Sequence, residues 1–223
     1  MVEKIFLNNG ERDFNYIVYE PEKLKDIPLI IYLHGAGERG KKIDHLYRHA
    51  VPKLLKAGKE VNALVLCPQC PAGYVWNNLV FELKCLIDNI VAEYGIKKDR
   101  IAITGSSMGG YGTWEMGLTY RKFFSAIAPV AGGGMSWRCA GLKTTPVFAY
   151  HGADDSDVPP CNSEEMAKAV NNSGGNAELS IFENFGHNDF INYVYEHTDV
   201  LDKLIASRRT DFCYVTDVCE DYF

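Results

Sequence analysis

Residues 101–110 read IAITGSSMGG, an apolar and β-branched run that passes into a serine with glycines two places to either side. Gly105-Ser106-Ser107-Met108-Gly109 has the form G-x-S-x-G. That spacing has a steric origin. A strand that turns abruptly into a helix drives its apex residue to positive φ, and the residues two places away must be small because strand and helix nearly touch there. Such strain costs about 1–3 kcal/mol and persists where it holds a side chain out for chemistry. Isolated, the same five letters also describe an ordinary Gly/Ser loop. Here Ile101-Ala102-Ile103-Thr104 supplies a strand before them and Tyr111 to Met116 a helix after them. Ser107 is the candidate nucleophile.

Outward from this elbow, strand and helix patterns alternate. Residues 3–7 and 14–19 read as paired strands around the turn signal Asn8-Asn9-Gly10-Glu11. The continuous apolar run 28–33 fits a strand buried on both faces. A helix near 51–58 and a strand at 63–67 follow. Residues 80–94 place apolar side chains at helical spacing, with Gly95 as a stop. Beyond the elbow, strands are expected at 124–131, 147–151 and 178–182, and helices at about 163–173 and 189–206. Asn162 and Glu165 have the spacing of a capping box for the first of these helices. The pattern implies one α/β domain over 1–223: a mostly parallel sheet, an antiparallel N-terminal hairpin, and helices on both faces.

Composition agrees with one soluble domain. The chain has 223 residues, 47% of them hydrophobic and 23% charged, and its net charge of −6 argues against a nucleic-acid or anionic-membrane surface. No apolar run approaches the ~18 residues of a membrane span. Met1-Val2-Glu3-Lys4 enters a strand pattern without the apolar stretch of a signal peptide, which favours the cytoplasm, or secretion if a leader has been removed. Seven cysteines are an odd number. Cys67, Cys85 and Cys139 sit in or beside apolar segments, and Cys67-x-x-Cys70 lacks the second pair of a zinc site. A Cys213–Cys219 disulfide is conceivable, with nothing else in its favour.

A nucleophilic serine needs a base, an acid to orient it, and donors for the oxyanion. Open α/β sheets carry such groups in the loops after their strands. Two loops qualify: His151 to Pro159, with Asp154, Asp155 and Asp157, and Phe185-Gly186-His187-Asn188. Spacing alone leaves the three aspartates as competitors.

In combination, Leu33 to Gly40 (LHGAGERG), Pro68-Gln69-Cys70-Pro71, the elbow, His151-Gly152 with Asp155 and Val158-Pro159, and Gly186-His187 are specific. The chain resembles, over about residues 15–206, the compact α/β-hydrolase esterases of the phospholipase/carboxylesterase, feruloyl-esterase and predicted-peptidase group. The resemblance implies Ser107 as nucleophile, Asp155 as acid and His187 as base. It implies oxyanion donors from the amides of Met108 and Ala36, and no metal or organic cofactor. The implied activity is hydrolysis of a small-molecule or carbohydrate-linked ester of acetyl or feruloyl type, with thioester or peptide cleavage as alternative. The segment 208–223 lies outside the shared pattern. Its Phe212, Tyr214, Tyr222 and Phe223 suggest docking, as a lid or in a homodimer.

Other features are weaker. Trp76 and Trp137 follow strands and are candidates to line a substrate pocket, though ordinary packing serves either equally well. His45 and His49, four apart without a nearby carboxylate or cysteine, suit solvent or a loop contact rather than a metal. Gly35 to Lys42 comes within one residue of a P-loop, but Lys42 stands where that motif needs a hydroxyl, and no Walker-B-type aspartate follows a strand.

Overall fold

The computed structural model describes residues 1–8 and 13–212. Eight strands form one sheet: β1 (Val2–Phe6), β2 (Asn15–Glu20), β3 (Leu29–Leu33), β4 (Leu64–Gln69), β5 (Ile101–Ser106), β6 (Ala126–Val130), β7 (Val147–Gly152) and β8 (Ala177–Phe182). Their order across the sheet is β1-β2-β4-β3-β5-β6-β7-β8. β2 runs antiparallel to both β1 and β4, and every other pairing is parallel. The elbow strand β5 therefore lies mid-sheet, paired with β3 and β6.

Among the described residues six α-helices cover the faces: α1 (Ala50–Lys56), α2 (Val80–Tyr94), α3 (Met108–Thr119), α4 (Cys161–Asn172), α5 (His187–His197) and α6 (Val200–Ala206). The two-residue period of the strands builds two cores. Leu29, Ile31 and Leu33 point to the face covered by Leu83 and Ile87 of α2, Trp114 of α3 and Met166 of α4. Ile30 and Tyr32 point to the other, under Val51 of α1, Phe190 and Val194 of α5 and Leu204 of α6. Each fully buried Leu, Ile or Val contributes about 1.5–3 kcal/mol, so continuous apolar strands suit a sheet covered on both sides.

α2 has the bounds its periodicity implied and ends on Gly95 at φ 61°. Two expectations are corrected. The single helix expected at 189–206 is two. Thr198 is extended, and its Oγ1 accepts from the Val200 amide, opening a new helix. The capping box at Asn162 and Glu165 does not form. α4 begins earlier, behind Pro160; Asn162 turns back to donate to the Pro159 carbonyl, and Glu165 accepts from Ser136 Oγ.

Most of the tail, including the proposed Cys213–Cys219 pair, Tyr214, Tyr222 and Phe223, lies outside the described residues, as do residues 9–12 of the first turn. The tail's root is tied down. Phe212 packs on Phe123 with ring centroids 5.7 Å apart. Buried Arg209 donates to the carbonyls of Phe124 and Thr144 (2.7 and 2.9 Å), to Thr145 Oγ1 and to Asp211. Removing its guanidinium strands buried acceptors, each worth about 1–3 kcal/mol. Arg209→Ala is expected to cost about 2–4 kcal/mol, read as a fall of roughly 5–15 °C in Tm for a domain of this size. An unchanged melt would mean that water replaces the arginine at no cost.

Candidate active site

The elbow forms as its glycines imply. Ser107 has φ 57° and ψ −120°, between the end of β5 and the first residue of α3, and its amide donates to the Val130 carbonyl at 2.9 Å. A Cβ on Gly105 would stand 2.5 Å from the Gly109 carbonyl oxygen and 2.6 Å from that of Leu33, and one on Gly109 would overlap the Leu33 carbonyl. No side chain fits at either position, so backbone contact between β3, β5 and α3 defines the turn.

Two loops converge on Ser107. His187 opens α5, and its Nε2 is 2.8 Å from Ser107 Oγ. Its Nδ1 is 2.6 Å from Asp155 Oδ2. Asp155 follows β7 and has a fully buried side chain. Its Oδ1 accepts the amides of Asp157 (3.0 Å) and Val158 (2.8 Å), which fixes the carboxylate plane. Because Asp155 accepts at Nδ1, the His187 proton sits there and the Nε2 lone pair faces the serine hydroxyl. The Asp154 and Asp157 side chains are exposed, so of the three competing aspartates only Asp155 meets His187. Buried His151 supports this loop: its Nε2 donates to the Val158 carbonyl at 2.8 Å and lies 3.4 Å from Asp155 Oδ2. Burial holds its pKa below the ordinary histidine value.

The loop after β3 folds over the serine as a short 3₁₀ turn, Ala36–Glu38. Four successive carbonyls in it are each held by a side chain. His34 Nδ1 donates to Gly35 O (2.5 Å) and Arg39 Nε to Ala36 O (3.0 Å), while Arg48 Nη1 reaches Gly37 O and Gln69 Nε2 reaches Glu38 O (both 2.9 Å). The His34 tautomer follows from its other nitrogen, which accepts the Cys70 amide at 2.9 Å. Ala36 opens this turn and Met108 opens α3, positions whose N–H groups have no partner within their own helix.

The cleft in front of Ser107 has a volume of roughly 320 Å³ and is lined by Ala36, Glu38, His49, Val158, His187 and Ile191 among others. Neither tryptophan candidate lines it. Trp76 is 1% exposed, packs on Phe14 and His34, and donates from Nε1 to the His34 carbonyl at 2.9 Å. It is a buried prop beneath the loop after β3, because Gly112 of α3 leaves room for its Cβ. Trp137 is 80% exposed in a 3₁₀ segment after β6. His49, expected in solvent or at a loop contact, lies in the cleft wall. The near-P-loop is not one: β3 leads into two 3₁₀ turns, Ala36–Glu38 and Ile43–Arg48, where a P-loop needs a helix to cradle phosphate. No helix among the described residues is long and apolar enough to cross a membrane.

The profile of the phospholipase/carboxylesterase family matches residues 75–205, which hold the elbow and both loops that meet it. Poly(3-hydroxyalkanoate) depolymerase C of Paucimonas lemoignei is 27% identical over 125 aligned residues, a match covering 42% of this chain and 30% of that protein. A thermostable esterase of solved structure superposes with TM-score 0.76 at 25% identity, covering 93% of this chain and 63% of the other. The feruloyl esterase module of Clostridium thermocellum superposes with TM-score 0.65 at 16% identity, covering 87% and 84% respectively, a likeness of fold alone. The chain thus spans less than two thirds of the depolymerase and of the thermostable esterase.

Proposed function

The chain belongs to the phospholipase/carboxylesterase family, and from that premise we propose that it is a serine esterase in which Ser107, His187 and Asp155 act as a triad. The observation that carries the reading is the unbroken hydrogen-bond chain from Asp155 to His187 (2.6 Å) to Ser107 (2.8 Å), opening on a cleft. Ser107 Oγ attacks the ester carbonyl as His187 Nε2 takes its proton. Asp155 holds the ring in the tautomer that leaves Nε2 free and stabilises the imidazolium that forms. The amides of Ala36 and Met108 donate to the oxyanion, each worth about 10²–10³ in rate. The four tethered carbonyls favour this, since a peptide whose oxygen is held away from the cleft turns the next N–H toward it. His187 then protonates the leaving alkoxide, and water, deprotonated by the same ring, releases the acid.

The cleft, of roughly 320 Å³ with polar and apolar lining, suits a short acyl group on a small or carbohydrate-borne alcohol. The test is twofold. A fluorophosphonate probe should label the purified protein on the peptide that contains Ser107. p-Nitrophenyl esters should be hydrolysed with kcat/KM declining as the acyl chain lengthens. Absence of labelling together with absence of turnover on every ester would overturn the reading. Labelling accompanied by faster turnover of thioesters or peptides would keep the triad and change the substrate.

A further inference from the structure

Two cleft residues have no part in that mechanism. Glu38 ends the first 3₁₀ turn, and His49 stands between the second turn and α1; both line the cleft beside Ser107. Glu38 is only 5% exposed. Burial pushes its carboxyl up, but His34, His49 and its own amide outweigh this and hold it below the usual range, so it is an acceptor at neutral pH. The point where a Cβ on Gly35 would stand is 3.3 Å from Glu38 Oε2 and 3.6 Å from Ser107 Cβ. Carboxylate and nucleophile flank the same space.

The hydrogen on His49 can be located. The Ala50 amide can only donate, and it donates to Asn192 Oδ1 at 3.1 Å. That orients the Asn192 amide with Nδ2 toward the Asn188 carbonyl (3.3 Å) and His49 Nδ1 (3.4 Å). Nδ2 has no lone pair to offer, so Nδ1 accepts and Nε2 carries the hydrogen. Nε2 faces Glu38 Oε1 at 3.7 Å, too far for a direct hydrogen bond. His34 stands by the other carboxylate oxygen, its Nδ1 3.7 Å from Oε2, and donates to the Gly35 carbonyl. The backbone here is strained as well: buried Ala50 has φ 52°, a region that residues with a Cβ seldom occupy. Such strain is kept where a side chain is being aimed.

A donor and an acceptor therefore stand side by side on the cleft wall without a direct hydrogen bond. A hydroxyl reaching them from the cleft, at the third corner of a triangle with Nε2 and Oε1, accepts from His49 Nε2 and donates to Glu38 Oε1; a methyl group does neither. We propose that Glu38 and His49 form a hydroxyl-recognition subsite beside Ser107, selecting esters whose acyl or alkoxy part carries a hydroxyl a few bonds from the carbonyl. This rests on the serine-esterase reading and gives it a substrate class. Closed sites built to bind a hydroxyl reject the analogue lacking it by about 10⁴–10⁵. The His49 side chain is 40% exposed, and water can take the same position beside the pair, so the expected preference is nearer tenfold.

The test compares isosteric pairs under pH-stat. Methyl 3-hydroxybutyrate against methyl 3-methylbutyrate probes the acyl side, and 2-hydroxyethyl butyrate against propyl butyrate probes the alkoxy side. In one pair the hydroxylated ester should be favoured in kcat/KM by about tenfold, and that pair identifies the side. The ratio should fall toward one in His49→Phe, while His49→Gln, which keeps an N–H donor, retains part of it. Intrinsic reactivity of the esters cancels between wild type and variant, and a thermal melt confirms that each variant is folded. Ratios that are the same in wild type and folded His49→Phe would overturn the subsite while Ser107 labelling and ester turnover still support the serine esterase. Loss of labelling and of turnover on all four esters in the wild type would overturn both.

Discussion

Ser107→Ala is expected to lower kcat for a small ester by about 10⁶, the loss found when the nucleophile of a working triad is removed alone. Nothing can substitute for it. Ser106 is adjacent in sequence and borders the same cleft, but it is buried and its Oγ is bonded to the hydroxyl of Tyr32 at 3.0 Å, whereas His187 Nε2 meets Ser107 Oγ. The alanine keeps the backbone at φ 57° and adds no new strain, and it forgoes one hydrogen bond, to His187. The variant should therefore melt within a few degrees of the wild type. Turnover measured against an active-site titration of the wild type checks the first point, and a thermal melt the second. If folded Ser107→Ala kept a rate within tenfold of the wild type, the nucleophile would lie elsewhere.

Asp155→Asn is expected to lower kcat at neutral pH by about 10⁴, as the same exchange does in a triad protease. The amides of Asp157 and Val158 demand an acceptor, so the asparagine presents Oδ1 to them and Nδ2 to His187. Nδ1 must then accept, the ring proton moves to Nε2, and the lone pair that should take the serine proton is gone. Shape changes little. Asp154→Asn and Asp157→Asn should each stay within about threefold, since their carboxylates are exposed and only backbone of Asp157 bonds Asp155. The three variants measured side by side on one ester separate the cases. Collapse in either neighbour with a near-normal rate in Asp155→Asn would move the acid to that neighbour.

What could be read from the chain was whatever a local rule enforces. A β-branched run, two small residues and a serine at fixed spacing specify an elbow because backbone overlap at Gly105 and Gly109 forbids alternatives. Continuous apolar runs specify strands buried on both faces. α2 was legible from its apolar spacing and its terminal glycine. The break between α5 and α6 is marked in the sequence by Thr198-Asp199, two residue types that commonly start helices. Asn162 and Glu165 show the converse, a correct spacing overridden because Pro160 starts the helix two residues sooner.

Tertiary structure alone decided which side chains face one another. Three aspartates within four residues are equivalent in one dimension; the two amides that turn Asp155 inward, and the fold that brings His187 to it from 32 residues away, separate them. Trp76 reads as a loop aromatic until Gly112, from another helix, makes room for it in the core. His49 reads as a solvent histidine until Asn192, 143 residues later, fixes its ring and Glu38 stands beside it. By itself the sequence determined the sheet, the elbow and the chemical type of the site, because these follow from sterics and burial within a few residues. Orientation of Asp155, the support under the loop after β3 and the polar wall of the cleft needed the folded chain, because each depends on a hydrogen bond or contact between segments that only the sheet order brings together.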